Sequence, residues 1–196
     1  MQPTPKHQVF DEADCVWRAK TGDNQAFLDL VRRFDRRVFH IAQWITQNDD
    51  AAEKVLIDTF LKALSQLRDC HDNAKFSAWL ATIAVNEALL FTLEGRAFVD
   101  DPVDSGEGIV IREVSPWRAR PQELLTREEL NHMLDRAMQI LEPPDRAVFV
   151  LKEVEGMSTE DIAQSLNLPM RVVKIRILRA RLGLREDLTK RFGLGR

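Results

Sequence analysis

Cysteine, glycine and proline are all scarce in this chain of 196 residues. It contains two cysteines, Cys15 and Cys70, and eight residues each of glycine and proline. This composition excludes a disulfide scaffold, a collagen-like repeat and a low-complexity linker protein. The N-terminal segment carries acidic groups where a secretory signal needs an apolar run, so we expect a protein of the reducing cytoplasm with free thiols.

Long apolar runs and metal-binding clusters are missing as well. No stretch approaches the roughly 18 uninterrupted apolar residues of a membrane-spanning helix, so we expect no membrane insertion. The four histidines, at positions 7, 40, 71 and 132, are not paired at the spacing of metal ligands. No glycine-rich phosphate loop and no Ser/His/Asp set can be found. We therefore expect no metal, no cofactor and no enzymatic activity.

Charge is distributed unevenly along the chain, although the net charge is only −3. Residues 101–157 carry seven lysines and arginines against twelve aspartates and glutamates, whereas residues 158–196 carry nine against four. A cationic C-terminal end on an acidic body is typical of a surface that binds phosphate. It is equally typical of a helix with a solvated basic face.

Apolar residues recur at helical spacing over most of the sequence, which predicts an all-α protein. A turn at residues 21–23 precedes one helical stretch, and Asn48 can cap the next. A third stretch runs from Phe76 to Leu90. The pattern is lost over residues 99–123, which contain three prolines, two glycines and scattered acidic groups. We therefore expect two small helical domains that are joined by a flexible acidic linker.

The C-terminal part has the pattern of a helix-turn-helix. Ser158 is the expected N-cap of the first helix, with Asp161 in the N3 position of a capping box. Asn167 tolerates left-handed dihedral angles, and Pro169 favours the first turn of a following helix. These residues predict a tight connection into a second helix.

The second helix, expected over residues 170–188, combines an apolar stripe with basic flanks. The stripe consists of Val173, Ile177, Ala180 and Leu184; Arg171, Lys174, Arg181 and Arg185 lie on one flank, and Arg176 and Arg179 lie on the other. Such a helix can lie in the major groove, where phosphates give sequence-independent affinity and base edges give specificity. Ile175, Leu178 and Leu182 are expected opposite the stripe, where they can touch thymine methyl groups or a protein partner. A helical hairpin with solvated arginines is the alternative.

Residues 141–181 resemble the C-terminal, fourth-region domain of extracytoplasmic-function (ECF) sigma factors of bacterial RNA polymerase, in the sigma-70 family. The resemblance is carried by the acidic-Gly turn at residues 155–156 and by the segments Val173-Lys174-Ile175-Arg176 and Arg179-Ala180-Arg181. It implies contacts with the promoter −35 element. The residues that would make them are Arg171, Lys174, Ile175, Arg176, Leu178, Arg179 and Arg181.

The N-terminal part is similar to the second-region domain of the same family. Residues 22–27 resemble its opening helix, residues 50–61 its polymerase-binding helix and residues 76–86 its promoter-melting helix. The resemblance implies polymerase contacts by Glu53, Lys54, Ile57, Asp58, Phe60 and Leu61. It implies contacts with the −10 element by Trp79, Asn86 and Arg96. A core tryptophan and a helix-surface amide are the alternatives for the first two.

Together the resemblance covers about residues 13–98 and 124–190. It implies a second-region-like domain, a linker over residues 99–123 and a fourth-region-like domain. The implied function is that of an alternative sigma factor, which directs RNA polymerase to specific promoters and has no catalytic activity of its own. The implied partners are the β′ clamp helices and the β flap of core polymerase, promoter DNA and an anti-sigma factor.

Two stretches depart from the family pattern. Lys54 and Ile57 stand where the family has Asp and Gln. After Asn86, the chain up to residue 98 has one basic residue, Arg96, where the family has a basic run. Because fewer phosphate contacts weaken the affinity for a melted strand, a second hypothesis stays open. Under it, the chain is a diverged sigma-like regulatory protein that binds a protein partner or DNA without opening promoters.

Overall fold

The computed structural model describes residues 10–92, 135, 136 and 138–192, and the regular structure in these ranges is helical. The chain divides into two compact units, residues 1–91 (unit 1) and residues 92–196 (unit 2). The predicted all-α class is thereby confirmed for the described residues. The predicted linker over 99–123 lies outside them, so the domain bounds 13–98 and 124–190 stay predictions.

Unit 1 is built from helices that follow one another closely. They are α1 (Glu12–Lys20), α2 (Asn24–Thr46), α3 (Asp49–Ser65) and α4 (Phe76–Thr92), with 3₁₀ turns at Leu67–Asp69 and Asn73–Lys75 between α3 and α4. Helices α2, α3 and α4 confirm the three predicted stretches. Periodicity does not predict α1, because its nine residues give too few repeats of the helical spacing.

Side-chain caps fix where these helices begin. The Asp23 carboxylate accepts hydrogen bonds from the backbone N–H groups of Gln25 and Ala26, at 2.9 and 3.1 Å. The Asn48 side chain accepts one from the N–H of Ala51 at 2.9 Å, which confirms its predicted role as a cap. Each cap satisfies N–H groups that the first helical turn leaves without an intrahelical partner.

An ion pair holds the turn between α1 and α2. Arg18 donates from Nη2 and Nε to Asp23 Oδ2, at 2.6 and 3.0 Å. Gly22 in this turn has a φ of 100°, a value that residues other than glycine rarely adopt. The hydrogen bond from Arg18, together with the one from the Ala26 N–H, lowers the pKa of the Asp23 carboxyl below its usual range. The folded state therefore favours the ionised, capping form of Asp23.

The core of unit 1 lies around α2, which packs against both α1 and α3. Phe34 of α2 also meets Phe76 at the start of α4, with ring centroids 5.7 Å apart. Helix α3 faces this core with small and β-branched side chains: its buried residues are Ala51, Ala52, Val55, Thr59 and Ala63. The buried Thr59 hydroxyl donates to the Val55 carbonyl at 2.6 Å, so no polar atom of this side chain is left unsatisfied.

Unit 2 is organised around its last helix. Its described elements are α5 (Pro143–Phe149), a π-helical turn (Val150–Val154), α6 (Thr159–Ser165) and α7 (Met170–Phe192). Both α5 and α6 pack against α7. In the π turn, the N–H of Glu155 bonds to the carbonyl of Val150, five residues earlier. This wider turn changes the register of the residues that follow α5.

Candidate nucleic-acid interface and partner surface

The connection between α6 and α7 has the geometry of a helix-turn-helix. Ser158 Oγ accepts from the Asp161 N–H at 3.0 Å and donates to the Asp161 carboxylate at 2.6 Å. Asn167 has a φ of 51°, in the left-handed region. The carbonyl of Pro169 accepts from the N–H of Val172, so α7 begins directly after the proline. The predicted cap and turn are confirmed.

One face of α7 carries a row of four cations, with Leu178 in the gap between the second and the third. Arg171, Lys174, Arg181 and Arg185 are exposed, and at 100° per residue they fall within about 80° of the helix circumference. We call these four residues the basic strip; the helical rise makes it about 21 Å long. The predicted apolar stripe on the other side is confirmed, since Val173, Ile177, Ala180 and Leu184 are all buried. The arrangement suits a helix that anchors on its own unit and presents positive charge outward.

Two residues that were predicted to contact DNA are buried. Arg176 has no exposed surface, and Ile175 is only 7% exposed. The expectation that both lie on open faces of the helix is wrong. Because α7 packs against both α5 and α6, more of its circumference is buried than a single stripe. Leu178 and Arg179 are half-buried, and their role as DNA contacts stays a prediction.

Arg181 of the basic strip is paired within the protein. Its Nη2 and Nε donate to Glu153 Oε1, at 2.6 and 3.2 Å. The Arg181 side chain is 49% exposed and the Glu153 side chain 36%, so solvent reaches both groups. The sequence analysis missed this contact, because the residues are 28 positions apart and no helical spacing connects them.

Helix α3 presents an apolar and charged face on the side away from the core. Ile57, Leu61 and Leu64 are 59%, 62% and 52% exposed and recur at i, i+4 and i+7. We call these three residues the apolar row. Glu53, Lys54 and Asp58 are exposed beside it, whereas Phe60 is half-buried. Contiguous exposed apolar side chains are typical of a surface that a protein partner covers.

The residues predicted to contact the −10 element lie partly within the described part of the chain. Trp79 and Asn86 are both half-buried on α4, and the Trp79 ring lies 5.7 Å from that of Phe76, centroid to centroid. Glu87, which follows Asn86, pairs with Lys62 of α3 at 2.6 Å. This pair offsets the negative charge that a DNA strand would meet beside Asn86. Arg96 lies outside the described residues.

The two cysteines are buried free thiols, as expected. Burial raises the pKa of both the Cys15 and the Cys70 thiol, and a raised pKa favours the unreactive neutral form. Within the described ranges, no three His, Cys, Asp or Glu side chains are grouped so that they could hold a metal ion. None of the helices described is both long and apolar enough to span a bilayer.

Comparison with protein families gives two matches, one in each unit. The family model described as Sigma-70 region 2 matches residues 30–91, and the one described as Sigma-70, region 4 matches residues 131–184. The ECF RNA polymerase sigma-E factor of Escherichia coli K12 is 31% identical over 181 residues, which are 89% of this chain and 92% of that protein. The ECF RNA polymerase sigma factor SigW of Bacillus subtilis is 29% identical over 178 residues, 88% of this chain and 94% of that protein.

Two solved structures share the fold. The structure of CnrH in complex with the cytosolic domain of CnrY superposes with a TM-score of 0.59 and 24% identity, over 91% of this chain and 97% of that chain. The sigma factor RpoE from Bartonella quintana, in complex with the anti-sigma factor NepR, gives a TM-score of 0.55 and 24% identity. That match covers 83% of this chain and 96% of the other.

Proposed function

The chain belongs to the family of ECF RNA polymerase sigma factors, and from this premise we propose how its two units divide the work of initiation. As an alternative sigma factor, it directs RNA polymerase to specific promoters. In the proposal, unit 2 binds the −35 element, while unit 1 binds core polymerase and the −10 element. The observation that carries it is the basic strip of α7, three of whose four residues, Arg171, Lys174 and Arg181, lie in the stretch 131–184 that the region 4 model matches.

Helix α7 is the recognition helix in this proposal. Its basic strip is about 21 Å long, which corresponds to roughly six base pairs at 3.4 Å each. Arg171 and Lys174 lie in its first turns, where recognition helices contact base edges, so they are assigned to base and phosphate contacts. Arg185 lies farther along and is assigned to a phosphate wall. These assignments rest on exposure and on position along the helix.

The apolar row of α3 is the docking surface for core polymerase in this proposal. Fully burying a leucine or isoleucine side chain is worth about 1.5–3 kcal/mol. The three side chains of the row are 52–62% exposed, so covering them supplies roughly half of that amount for each residue. The charged residues beside the row, Glu53, Lys54 and Asp58, fix register more than affinity. The β′ clamp helices are the partner that the family relationship indicates for this surface, and the β flap is the one indicated for unit 2.

Helix α4 is assigned to the melted −10 element. Trp79 is half-buried, so part of its side chain is open to a ligand, and Asn86 offers both a donor and an acceptor. Capturing an unstacked base costs a few kcal/mol, which stacking and hydrogen bonds to the base can offset. Pairing of Glu87 with Lys62 supports this assignment, because it reduces repulsion of the strand.

An anti-sigma protein is a further partner in this proposal. The support is the structural likeness to the Bartonella quintana factor, which was solved in complex with one. The protein would act in the cytoplasm, where its polymerase partner transcribes the chromosome. It would catalyse no step itself, since the nucleotidyl transfer belongs to the polymerase core.

Run-off transcription with purified core polymerase tests the proposal. Fragmented genomic DNA of the source organism serves as template, and the 5′ ends of the transcripts are sequenced. We expect discrete new start sites that share an upstream element, and we expect them to be lost with Lys174→Glu. Core binding without any initiation would favour the diverged sigma-like regulator instead. No core binding and no initiation would reject both the division of labour and the docking surface.

A further inference from the structure

The ion pair between Glu153 and Arg181 engages the third of the four cations in the basic strip. Two donors on one edge of the Arg181 guanidinium, Nη2 and Nε, are directed at a single carboxylate oxygen. The other three members of the strip, Arg171, Lys174 and Arg185, are exposed cations. An acidic side chain at this point therefore occupies the Nε edge of the guanidinium, and a DNA phosphate has to displace it or use the remaining donors.

The backbone holds Glu153 in place beside the strip. Glu153 lies within the π turn, where Glu155 N–H bonds to the Val150 carbonyl and Met157 N–H bonds to the Leu151 carbonyl. Lys152 Nζ donates to the Met157 carbonyl at 3.2 Å, which ties the middle of the turn to the segment that follows it. Val150 and Leu151 have no exposed surface, so the turn is anchored in the core of unit 2. The backbone of Glu153 is thus held in place, and the residue does not lie at the tip of a free loop.

We propose that Glu153 is an intramolecular competitor for phosphate, which withholds the Nε edge of Arg181 from DNA and thereby weakens duplex binding of any sequence. The proposal rests on the function proposed for α7. A carboxylate and a phosphate compete for the Nε and Nη2 donors of this edge, and only one of them can accept from both donors at a time. The neighbouring carboxylate also cancels the charge that would otherwise release a counterion from DNA. Arg181 then contributes little to affinity as long as Glu153 is present.

The test measures binding of the full chain to duplexes of two unrelated sequences by fluorescence anisotropy, over a series of salt concentrations. Glu153→Gln should bind both duplexes about two- to five-fold more tightly than Glu160→Gln, since exposed ion pairs of this kind are weak but not negligible. Glu160 is the matched control, because it is exposed on α6 and loses the same charge. The slope of log affinity against log salt should steepen by about 0.9 for Glu153→Gln, which corresponds to one added phosphate contact.

A second pair of variants separates competition from a general charge effect. Arg181→Ala should change the affinity of the parent protein by less than about two-fold, because Glu153 already withholds the Nε edge of Arg181 from phosphate. It should abolish the gain in the Glu153→Gln background. Equal affinities of Glu153→Gln and Glu160→Gln would overturn the proposal, and weaker binding by Glu153→Gln would show that Glu153 orients Arg181 toward DNA.

Lys174→Glu reports whether α7 binds DNA at all. If Lys174→Glu loses binding while the Glu153 variants are unchanged, only the competition is wrong. If the parent chain binds neither duplex at low salt, both the competition and the proposed role of α7 fail.

Discussion

Helices α3 and α7 are alike in holding one face against the core, and they differ in what they show to the outside. Helix α3 buries mainly alanine, with valine and threonine, and exposes the apolar row. Helix α7 buries valine, isoleucine, alanine and leucine and exposes the basic strip. An apolar contact depends little on salt, whereas phosphate contacts weaken steeply as salt rises. The exposed face of each helix therefore indicates the class of partner. The salt dependence of binding should distinguish the two surfaces.

Leu61→Glu should produce the largest effect, on the apolar side of the comparison. It removes a leucine contact and places a carboxylate in the proposed interface, so the affinity for core polymerase should fall about 100-fold. Thermal unfolding should not change, since the side chain is 62% exposed. Leu28→Glu is the matched control, on an exposed site of α2. The Kd for core polymerase measures both effects. Equal losses of affinity for the two variants would show that the apolar row is not a specific docking surface.

Lys174→Glu should have the next largest effect, on the basic side. Reversing one charge of the basic strip should weaken duplex binding about ten-fold across sequences and flatten the salt slope by about 0.9. Lys190→Glu makes the same charge change elsewhere on α7 and should cost less than two-fold. Anisotropy titrations at several salt concentrations measure both quantities. An unchanged slope would show that Lys174 does not touch phosphate.

Asn86→Ala sharpens the comparison by testing a third surface, on α4. It should reduce open-complex formation about five-fold, as the loss of a hydrogen-bonding partner for a captured base. Permanganate reactivity of promoter thymines measures the opening. Core binding and stability should stay the same, the latter within about 0.5 kcal/mol. If the melting temperature falls and opening does not, Asn86 is a structural amide.

The smallest effect is expected for a substitution that changes the stability of unit 1 but not its binding surface. Asp23→Ala removes the cap of α2 and the partner of Arg18, and should lower the melting temperature by a few degrees at pH 7. Core binding at 25 °C and duplex binding should not change. Asn48→Ala removes the comparable cap of α3, which has no titrating group.

The two caps should respond differently to pH. Because the pKa of Asp23 is lowered in the folded state, its stabilisation is present above the unfolded pKa of about 3.9 and is lost as pH falls through the folded value. The difference between Asp23→Ala and the parent protein should therefore shrink below about pH 4. The difference for Asn48→Ala should persist. Melting curves at pH 7 and pH 3 decide, and a pH-independent effect of Asp23→Ala would contradict the role of its charge.

Local chemistry was predictable from the sequence because it acts over a few residues. The caps at Asn48 and Ser158 and the left-handed Asn167 each satisfy a backbone requirement within three positions, so residue type alone indicates them. The outward position of Ile57 and Leu61 on α3 also agrees with the predicted polymerase-binding face. Their contact with polymerase stays a prediction.

Contacts between helices that are distant in the sequence could not be predicted from local residue patterns. A helical wheel places Arg176 on a flank of α7, but packing against both α5 and α6 extends the buried surface. The pairs Glu153–Arg181 and Lys62–Glu87 join residues 28 and 25 positions apart, so only the fold brings their charges together. The π turn that carries Glu153 leaves no signature in the apolar spacing.

The alanine-rich inner face of α3 has a consequence for how such proteins diverge. Ala51, Ala52 and Ala63 are buried in the core, whereas residues 57, 61 and 64 are exposed, so the fold of unit 1 depends little on the identity of these three. Substitutions at these three sites leave stability nearly unchanged, because exposed positions tolerate replacement. Descendants of one ancestral gene can thus exchange this patch residue by residue and acquire new binding preferences without first having to rebuild the protein that bears it.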